Sequence, residues 1–307
     1  MIDNLYSPAL FSIYMHKQFL DLTDFSLDDL ERAISISIEL KARNKFEKIL
    51  EGKFLGLIFE KSSTRTRVSF EVAMNQLGGK ASFLSINDLQ LGRGEPIEDT
   101  ARVLSSMVDG LVLRTLEHDT QIKFANHSSV PIINGLSNKS HPCQLLADLM
   151  TFYEEKGSIK GKKVAWFGDF NNVCFSYAQA ADLLGFELYV ACPEEILKRS
   201  IKDFKNVYFT QSIEEAVKES DLVTTDVWVS MGDENEAKKR IEMFSDFQVN
   251  EDVLDKAKQD AIFLHCLPAI RGQEISSSLL DDPRSRVWQQ AENRLHAQKG
   301  LLIEILK

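Results

Sequence analysis

Hydroxyls and guanidiniums alternate over one short stretch, Ser62-Ser63-Thr64-Arg65-Thr66-Arg67, and both groups suit phosphate oxygens. Leu55-Gly56-Leu57-Ile58-Phe59 precedes it, an apolar run that reads as a buried parallel strand. Phe70, Ala73, Met74 and Leu77 follow at helical spacing, and Gly78-Gly79 supplies the stop. The stretch therefore marks a strand-to-helix turn, where free N–H groups and the positive dipole end already favour an anion. An N-capped helix with solvated arginines is the plainer alternative. Two arginines among several hydroxyls at such a junction favour the anion site.

Other polar residues fall at strand ends too. Arg114 ends Gly110-Leu111-Val112-Leu113, and His141-Pro142-Cys143-Gln144 follows the strand at 130–134 and opens a helix. In a parallel sheet such positions border the ligand crevice. Read alone, His141 is a helix-start histidine and Gln144 half of a capping box. Phe167-Gly168-Asp169-Phe170-Asn171-Asn172 occupies the place of a dinucleotide fingerprint but lacks its glycines, which disfavours nicotinamide binding. Asn171 or Asn172 is then a helix cap or a holder of a small polar ligand. Asp226 ends another strand and suits a ligand cation, while Ser230-Met231-Gly232 opens a polar stretch that either closes over a substrate or is a solvated loop. In His265-Cys266-Leu267-Pro268 adjacent strand residues point to opposite faces, so His265 is poorly placed as a base for Cys266. Cys266 is either a structural thiol or part of the cleft. Arg294, near the start of the last helix, is a ligand for an anion or half of an ion pair.

Strands and helices that alternate from residue 55 onward predict an α/β fold with parallel sheets. One amphipathic helix is expected over 26–50. Strands are expected at 80–84, 110–114 and 130–135, helices at 97–108 and 144–156, and an exposed loop over 87–96. A second series restarts at Lys163: strands at 163–168, 187–191, 207–210, 222–225 and 261–264, and helices at 174–184, 194–202 and 213–218. A long polar segment covers 229–248. The expected organisation is two doubly wound domains, 1–156 and 157–290, with a C-terminal helix over 291–307 returning to the first.

At 307 residues, two domains are the default. Apolar residues make up 44% and charged residues 27%, as in ordinary globular proteins. A net charge of −10 argues against a general nucleic-acid binder and confines any basic site to a local pocket. Cys143, Cys174, Cys192 and Cys266 show neither zinc spacing nor a disulfide framework. The start of the chain shows no signal peptide, and no apolar run reaches the roughly 20 residues of a membrane span. A cytoplasmic enzyme is the expectation.

These stretches, in this order and over nearly the whole chain, resemble the aspartate/ornithine carbamoyltransferase family. Ser63-Thr64-Arg65-Thr66-Arg67 and His141-Pro142-Cys143-Gln144 look like its carbamoyl phosphate motifs. Asp226 with Ser230-Met231-Gly232, and His265-Cys266-Leu267-Pro268, look like its ornithine branch. The resemblance implies transfer of a carbamoyl group from carbamoyl phosphate to the δ-amine of ornithine, giving citrulline and phosphate. It also implies a homotrimer with sites at subunit interfaces and no metal or organic cofactor. By the same resemblance Ser63, Thr64, Arg65 and Thr66 hold the phosphate, and Gln90 reaches an adjacent subunit's site. Arg114, His141 and Gln144 grip the carbamoyl end; Cys266 and Leu267 contact the reacting region, and Arg294 the carbamoyl phosphate. Asn172, Asp226, Ser230 and Met231 hold ornithine. The expected catalytic set is Thr66, Arg114, His141 and Cys266, with Asp226 on the α-ammonium and Cys266 assisting proton loss from the δ-amine. Phe170 stands where the family commonly has Gly and Phe175 where it often has His, which puts the fit of ornithine in question. Putrescine, an acylated ornithine or aspartate are the other acceptors to weigh, and a non-catalytic binding protein on the same fold is the reading from another class.

Overall fold

Apolar runs of four to six residues, closed off by glycine or charge, form the strands here, and the longer amphipathic stretches between them form helices. The computed structural model describes residues 17–43, 48–86, 89–198, 204–229 and 236–307. The first half runs α1 (Leu27–Arg43), β1 (Phe54–Phe59), α2 (Thr64–Gln76), β2 (Lys80–Ser85), α3 (Ile97–Ser105), β3 (Gly110–Arg114), α4 (His118–His127), β4 (Ile132–Leu136) and α5 (Pro142–Lys156). The second runs β5 (Lys163–Phe167), α6 (Asn172–Leu184), β6 (Glu187–Ala191), α7 (Glu194–Leu197), β7 (Val207–Thr210), α8 (Ile213–Val217), β8 (Leu222–Thr225), α9 (Ala237–Phe244), α10 (Glu251–Leu254), β9 (Ile262–His265) and α11 (Val287–Leu306).

The strands form two parallel sheets, ordered β2-β1-β3-β4 and β7-β6-β5-β8-β9. In each, the chain winds outward in one direction and then in the other. The reversals fall between β1 and β3 in the first sheet and between β5 and β8 in the second. Loops leaving neighbouring strands at a reversal part to opposite faces and open a crevice at the strands' C-terminal ends. Both strands at each reversal are buried through most of their length.

Helix α11 follows the whole second sheet yet packs on α1, α2 and α5 of the first half. Ala297, Leu301 and Leu302 are fully buried there. Arg32 Nε donates to Glu304 at 2.8 Å, and Lys41 Nζ to Asn293 at 2.7 Å. The α/β architecture with a returning C-terminal helix is thus as expected, with local differences. Helix α1 does not continue to residue 50, because residues 48–50 form a turn in which Leu50 N donates to Leu77 O. Helix α11 begins at Val287, ahead of 291, where the buried Val287 and Gln290 extend its inner face. Helix α4 escaped the periodicity because its buried face carries His118 and Gln121 beside Phe124. The polar segment holds α9, whose Arg240 is buried against Asp169 and Trp228. Part of the helix expected over 194–202 lies outside the described residues. No described helix is long and apolar enough to cross a membrane.

At the α1–α11 crossing, a Cβ on Gly300 would overlap the Ala33 carbonyl and the Ser37 hydroxyl. Ser37 already donates to Ala33 O at 2.6 Å, so neither group is free to retreat. Gly300→Ala is expected to destabilise the protein by about 1–3 kcal/mol, the usual cost of overpacking. Urea unfolding measures it, and an unchanged midpoint would contradict this helix contact.

Candidate active site

The first crevice opens after β1. There Ser63 caps α2, its hydroxyl accepting from Thr66 N at 3.3 Å. The cap turns Thr66 inward, where it is buried, and leaves Thr64 and Arg65 exposed at the rim. Across the reversal, β3 delivers Arg114. Its pairing with β4 slips there: Leu113 faces Asn134 but Arg114 faces Leu136, so Gly135 bulges out. Such a bulge re-aims the side chain beside it. Gly135 also leaves room for Thr66, whose methyl would lie 3.4 Å from a Cβ at that position.

Helix α11 then supplies a third guanidinium from above. Arg294 Nη1 donates to Gln144 Oε1 at 2.7 Å and Nη2 to Thr66 Oγ1 at 3.2 Å. His141 lies beside them, its backbone N–H held by Ser176 Oγ at 2.9 Å. Among the described residues no carboxylate forms an ion pair with Arg65, Arg114 or Arg294, and Arg114 Nε, Arg294 Nε and His141 Nδ1 are buried without a partner. Buried polar atoms rarely go unpaired unless a ligand or ordered water serves them. Burial, with Arg294 and Arg65 nearby, lowers Arg114 to about 10, so it stays charged at neutral pH. Burial first, and then the Arg294, Arg114 and Arg65 charges, hold His141 well below its ordinary value, so its ring is neutral. The pocket is lined by buried polar groups, two of them guanidiniums.

The second crevice faces it. Asn171 is the cap of α6: its Oδ1 accepts from Val173 N and Cys174 N, both at 3.0 Å, and its Nδ2 donates to Asp226 Oδ2 at 2.7 Å. Asn172 Nδ2 reaches Ser137 O at 2.7 Å, on the loop that leads to His141. Asp226 follows β8, and its Oδ1 accepts from Val227 N at 2.8 Å and from Cys266 Sγ at 2.9 Å. Burial, reinforced by Asp226, pushes the Cys266 thiol well up, which keeps it protonated.

His265 makes its hydrogen bonds to partners other than Cys266. Its Nδ1 accepts from Leu267 N at 2.9 Å, so Nε2 carries the proton and donates to Glu274 Oε1 at 3.2 Å. Glu274 also accepts from Ile270 N at 2.5 Å, and the two contacts pin a turn in which Leu267 has φ 55°. That turn presents Leu267 O to Arg65 Nη2 at 2.6 Å, across the two crevices. Ligating atoms of Asp226, His265 and Cys266 lie within 4.8 Å of one another, but the hydrogen bonds just described already account for that grouping.

The structure therefore gathers Ser63, Thr64, Arg65, Thr66, Arg114, His141, Gln144, Arg294 and Leu267 around one cleft, with Asn172, Asp226 and Cys266 on its other wall. Gln90 stands apart, exposed at the start of a one-turn 3-10 helix over Gln90–Arg93. Ser230 and Met231 lie outside the described residues. Phe170 packs edge-on to Phe175 at 6.4 Å between ring centres and also meets Phe204 and Phe209. The two unusual phenylalanines thus pair with each other. Three contributors were missed: Asn171 as the partner of Asp226, Glu274, and Asp148 behind Gln144. Only Asp148 left a trace, as a second polar residue four positions after Gln144 in an otherwise apolar helix.

By class this is an α/β protein of two parallel sheets, with Arg65, Arg114 and Arg294 brought together beside the reversal point of the first. Residues 17–154 match the carbamoyl-P binding domain of aspartate/ornithine carbamoyltransferases, and residues 160–305 match their Asp/Orn binding domain. The chain belongs to the aspartate/ornithine carbamoyltransferase family. It is 53% identical over 301 residues to an ornithine carbamoyltransferase of Psychrobacter cryohalolentis, covering 95% of this chain and 97% of that one. An anabolic ornithine carbamoyltransferase of Pseudomonas aeruginosa is 54% identical over 294 residues, covering 93% and 96%. Among solved structures, the ornithine carbamoyltransferase of Pyrococcus furiosus superposes with a TM-score of 0.87 at 45% identity, covering 95% and 97%.

Arg65→Ala removes the one rim guanidinium that touches both walls. It is expected to weaken inorganic phosphate or carbamoyl phosphate binding by at least about 30-fold, equivalent to about 2 kcal/mol for a charge-assisted contact. Calorimetric titration of the folded variant measures this, and wild-type affinity would remove Arg65 from the anion site.

Proposed function

We infer that this chain transfers the carbamoyl group of carbamoyl phosphate to the δ-amine of L-ornithine, giving L-citrulline and phosphate. The observation that carries the reading is a trio of buried, unpartnered polar atoms, the donors Arg114 Nε and Arg294 Nε and the ring nitrogen His141 Nδ1, near the exposed Arg65. A phosphate-bearing substrate supplies the missing charge, and the Ser63-Thr64-Arg65-Thr66 turn receives it at the helix start. In this reading residues 1–156 form the carbamoyl phosphate domain, 157–290 the ornithine domain, and 291–307 a helix that closes the first.

Attack on the carbamoyl carbon builds negative charge on its oxygen, and each well-aimed donor is typically worth about 3 kcal/mol to that transition state. Thr66, Arg114 and the neutral His141 are the donors assigned to it, with Gln144, Arg294 and the Leu267 carbonyl orienting the group. The attacking amine must be neutral, although a lysine-like amine has a pKa near 10.4, so freeing it at pH 7 costs roughly 4–5 kcal/mol. Cys266 is a neutral thiol whose proton already points at Asp226. Its sulfur can accept the amine's N–H while Asp226 takes the thiol proton. The C–N bond forms, the C–O bond to phosphorus breaks, and phosphate leaves with the electron pair. Asn172, Ser230 and Met231 are assigned to the α-amino acid end, beside Asp226.

The reading carries a homotrimer with it, in which Gln90 serves a neighbour's site. A solution mass of three chains is expected, and a stable single chain would overturn this assembly. Four cysteines without a disulfide fit a cytoplasmic setting.

Carbamoylation of ornithine, putrescine, Nα-acylated ornithine and aspartate, each followed against pH, tests the reading. Ornithine is expected to lead in kcat/KM by at least about 100-fold, since a site built for polar groups rejects amines that lack them. Preference for another amine would displace ornithine as acceptor. The rate should rise between about pH 7 and 8.5 as the amine loses its proton. His141, already neutral because its pKa is depressed, should add no inflection near pH 6.5, and one abolished by His141→Gln would contradict its assigned state.

A further inference from the structure

Asp148 is 2% exposed, on α5 one turn beyond Gln144, and touches none of the three arginines directly. Three helices nevertheless converge on its carboxylate. Gln144 Nε2 of α5 and Gln290 Nε2 of α11 donate to Oδ1 at 2.8 and 2.6 Å, and Tyr177 OH of α6 donates to Oδ2 at 2.8 Å. We propose that Asp148 is a positioning residue for carbamoyl transfer, fixing the Gln144 amide so that its oxygen faces Arg294 and holds that guanidinium beside Thr66.

The argument is one of polarity along a chain of bonds. A carboxylate only accepts and a guanidinium only donates, whereas a glutamine amide has one end of each kind. Between Asp148 and Arg294, Gln144 has a single orientation that satisfies both: Nε2 toward the carboxylate and Oε1 toward Arg294. Reversing the amide sets oxygen against carboxylate and N–H against N–H, in a place without solvent. The order Asp148, Gln144, Arg294, Thr66 therefore runs in one direction only. It leaves Arg294 Nε, buried and unpartnered, as a fixed donor for the ligand. Burial raises the Asp148 carboxyl to about 6, so it is the acceptor-only anion at neutral pH and above.

A staple between helices would use the same contacts, and two substitutions separate the roles. Asp148→Ala removes the acceptor. Asp148→Asn keeps a carbonyl oxygen for Gln144 and Gln290 and turns its amide toward Tyr177, whose hydroxyl can reverse to accept. For Asp148→Ala we expect KM for carbamoyl phosphate to rise about tenfold and kcat to fall about 30-fold, as for a misplaced binding group, with KM for ornithine within about twofold. Asp148→Asn should recover both constants to within about fivefold of wild type. A staple would lower the melting temperature and leave the kinetic constants near wild type. That outcome overturns the proposal, as does an asparagine variant no better than alanine or a loss confined to ornithine. If alanine does not give folded protein, serine, too short to reach Gln144, replaces it with the same expectations.

This inference rests on the substrates assigned above. Wild-type protein that carbamoylates no ornithine defeats that assignment, whereas an active wild type with an unaffected Asp148→Ala defeats only the positioning role.

Discussion

Mutual repulsion among Arg65, Arg114 and Arg294 is the constraint around which the two crevices are built. Burial lowers the affinity of Arg114 and Arg294 for their protons, and neighbouring guanidiniums add to it: Arg294 and Arg65 at Arg114, and Arg65 at Arg294. No side-chain carboxylate in contact relieves the crowding among the described residues. Covalent geometry and packing hold the charges together instead: a capped helix after β1, a bulged strand end at Arg114, and a helix brought back from beyond the second lobe. Burial keeps His141 neutral as well, and the same charges reinforce it.

On the opposite wall, two adjacent residues at the end of β9 have different partners. His265 points into the protein and, with Glu274, fixes the backbone of the following turn. Cys266 points into the cleft and meets Asp226. A sulfur flanked by a carboxylate is a poor thiolate, and this thiol keeps its proton. Leu267 joins the walls, since its carbonyl is the acceptor for Arg65.

How much of this was legible depended on whether the signal was local. Strand ends, the capped turn at Ser63 and the polar residues at each reversal follow from short patterns, and these pointed to the α/β architecture. Contacts between distant residues left no such pattern. Nothing in the order of residues says that Glu274 lies under His265, that Gly135 drops out of register beside Arg114, or that Asn171 rather than Asn172 caps α6 while binding Asp226. Asp148 was hidden because a carboxylate in an apolar helix reads as a surface position until its three donors are seen. Phe170 looked like an obstruction in isolation, whereas Phe175, Phe204 and Phe209 give its ring a place to pack.

Helix α11 carries a consequence for how the molecule is made. Arg294, the donor that bridges Gln144 and Thr66, lies beyond all nine described strands in chain order, yet it completes a pocket begun at Ser63. As the polypeptide leaves the ribosome, its leading lobe emerges with an unfilled groove between α1, α2 and α5, and it must wait for the trailing lobe to be translated. Chains cut short before that helix therefore lack both a cover for the groove and a complete binding pocket, which makes them candidates for disposal rather than partly active by-products.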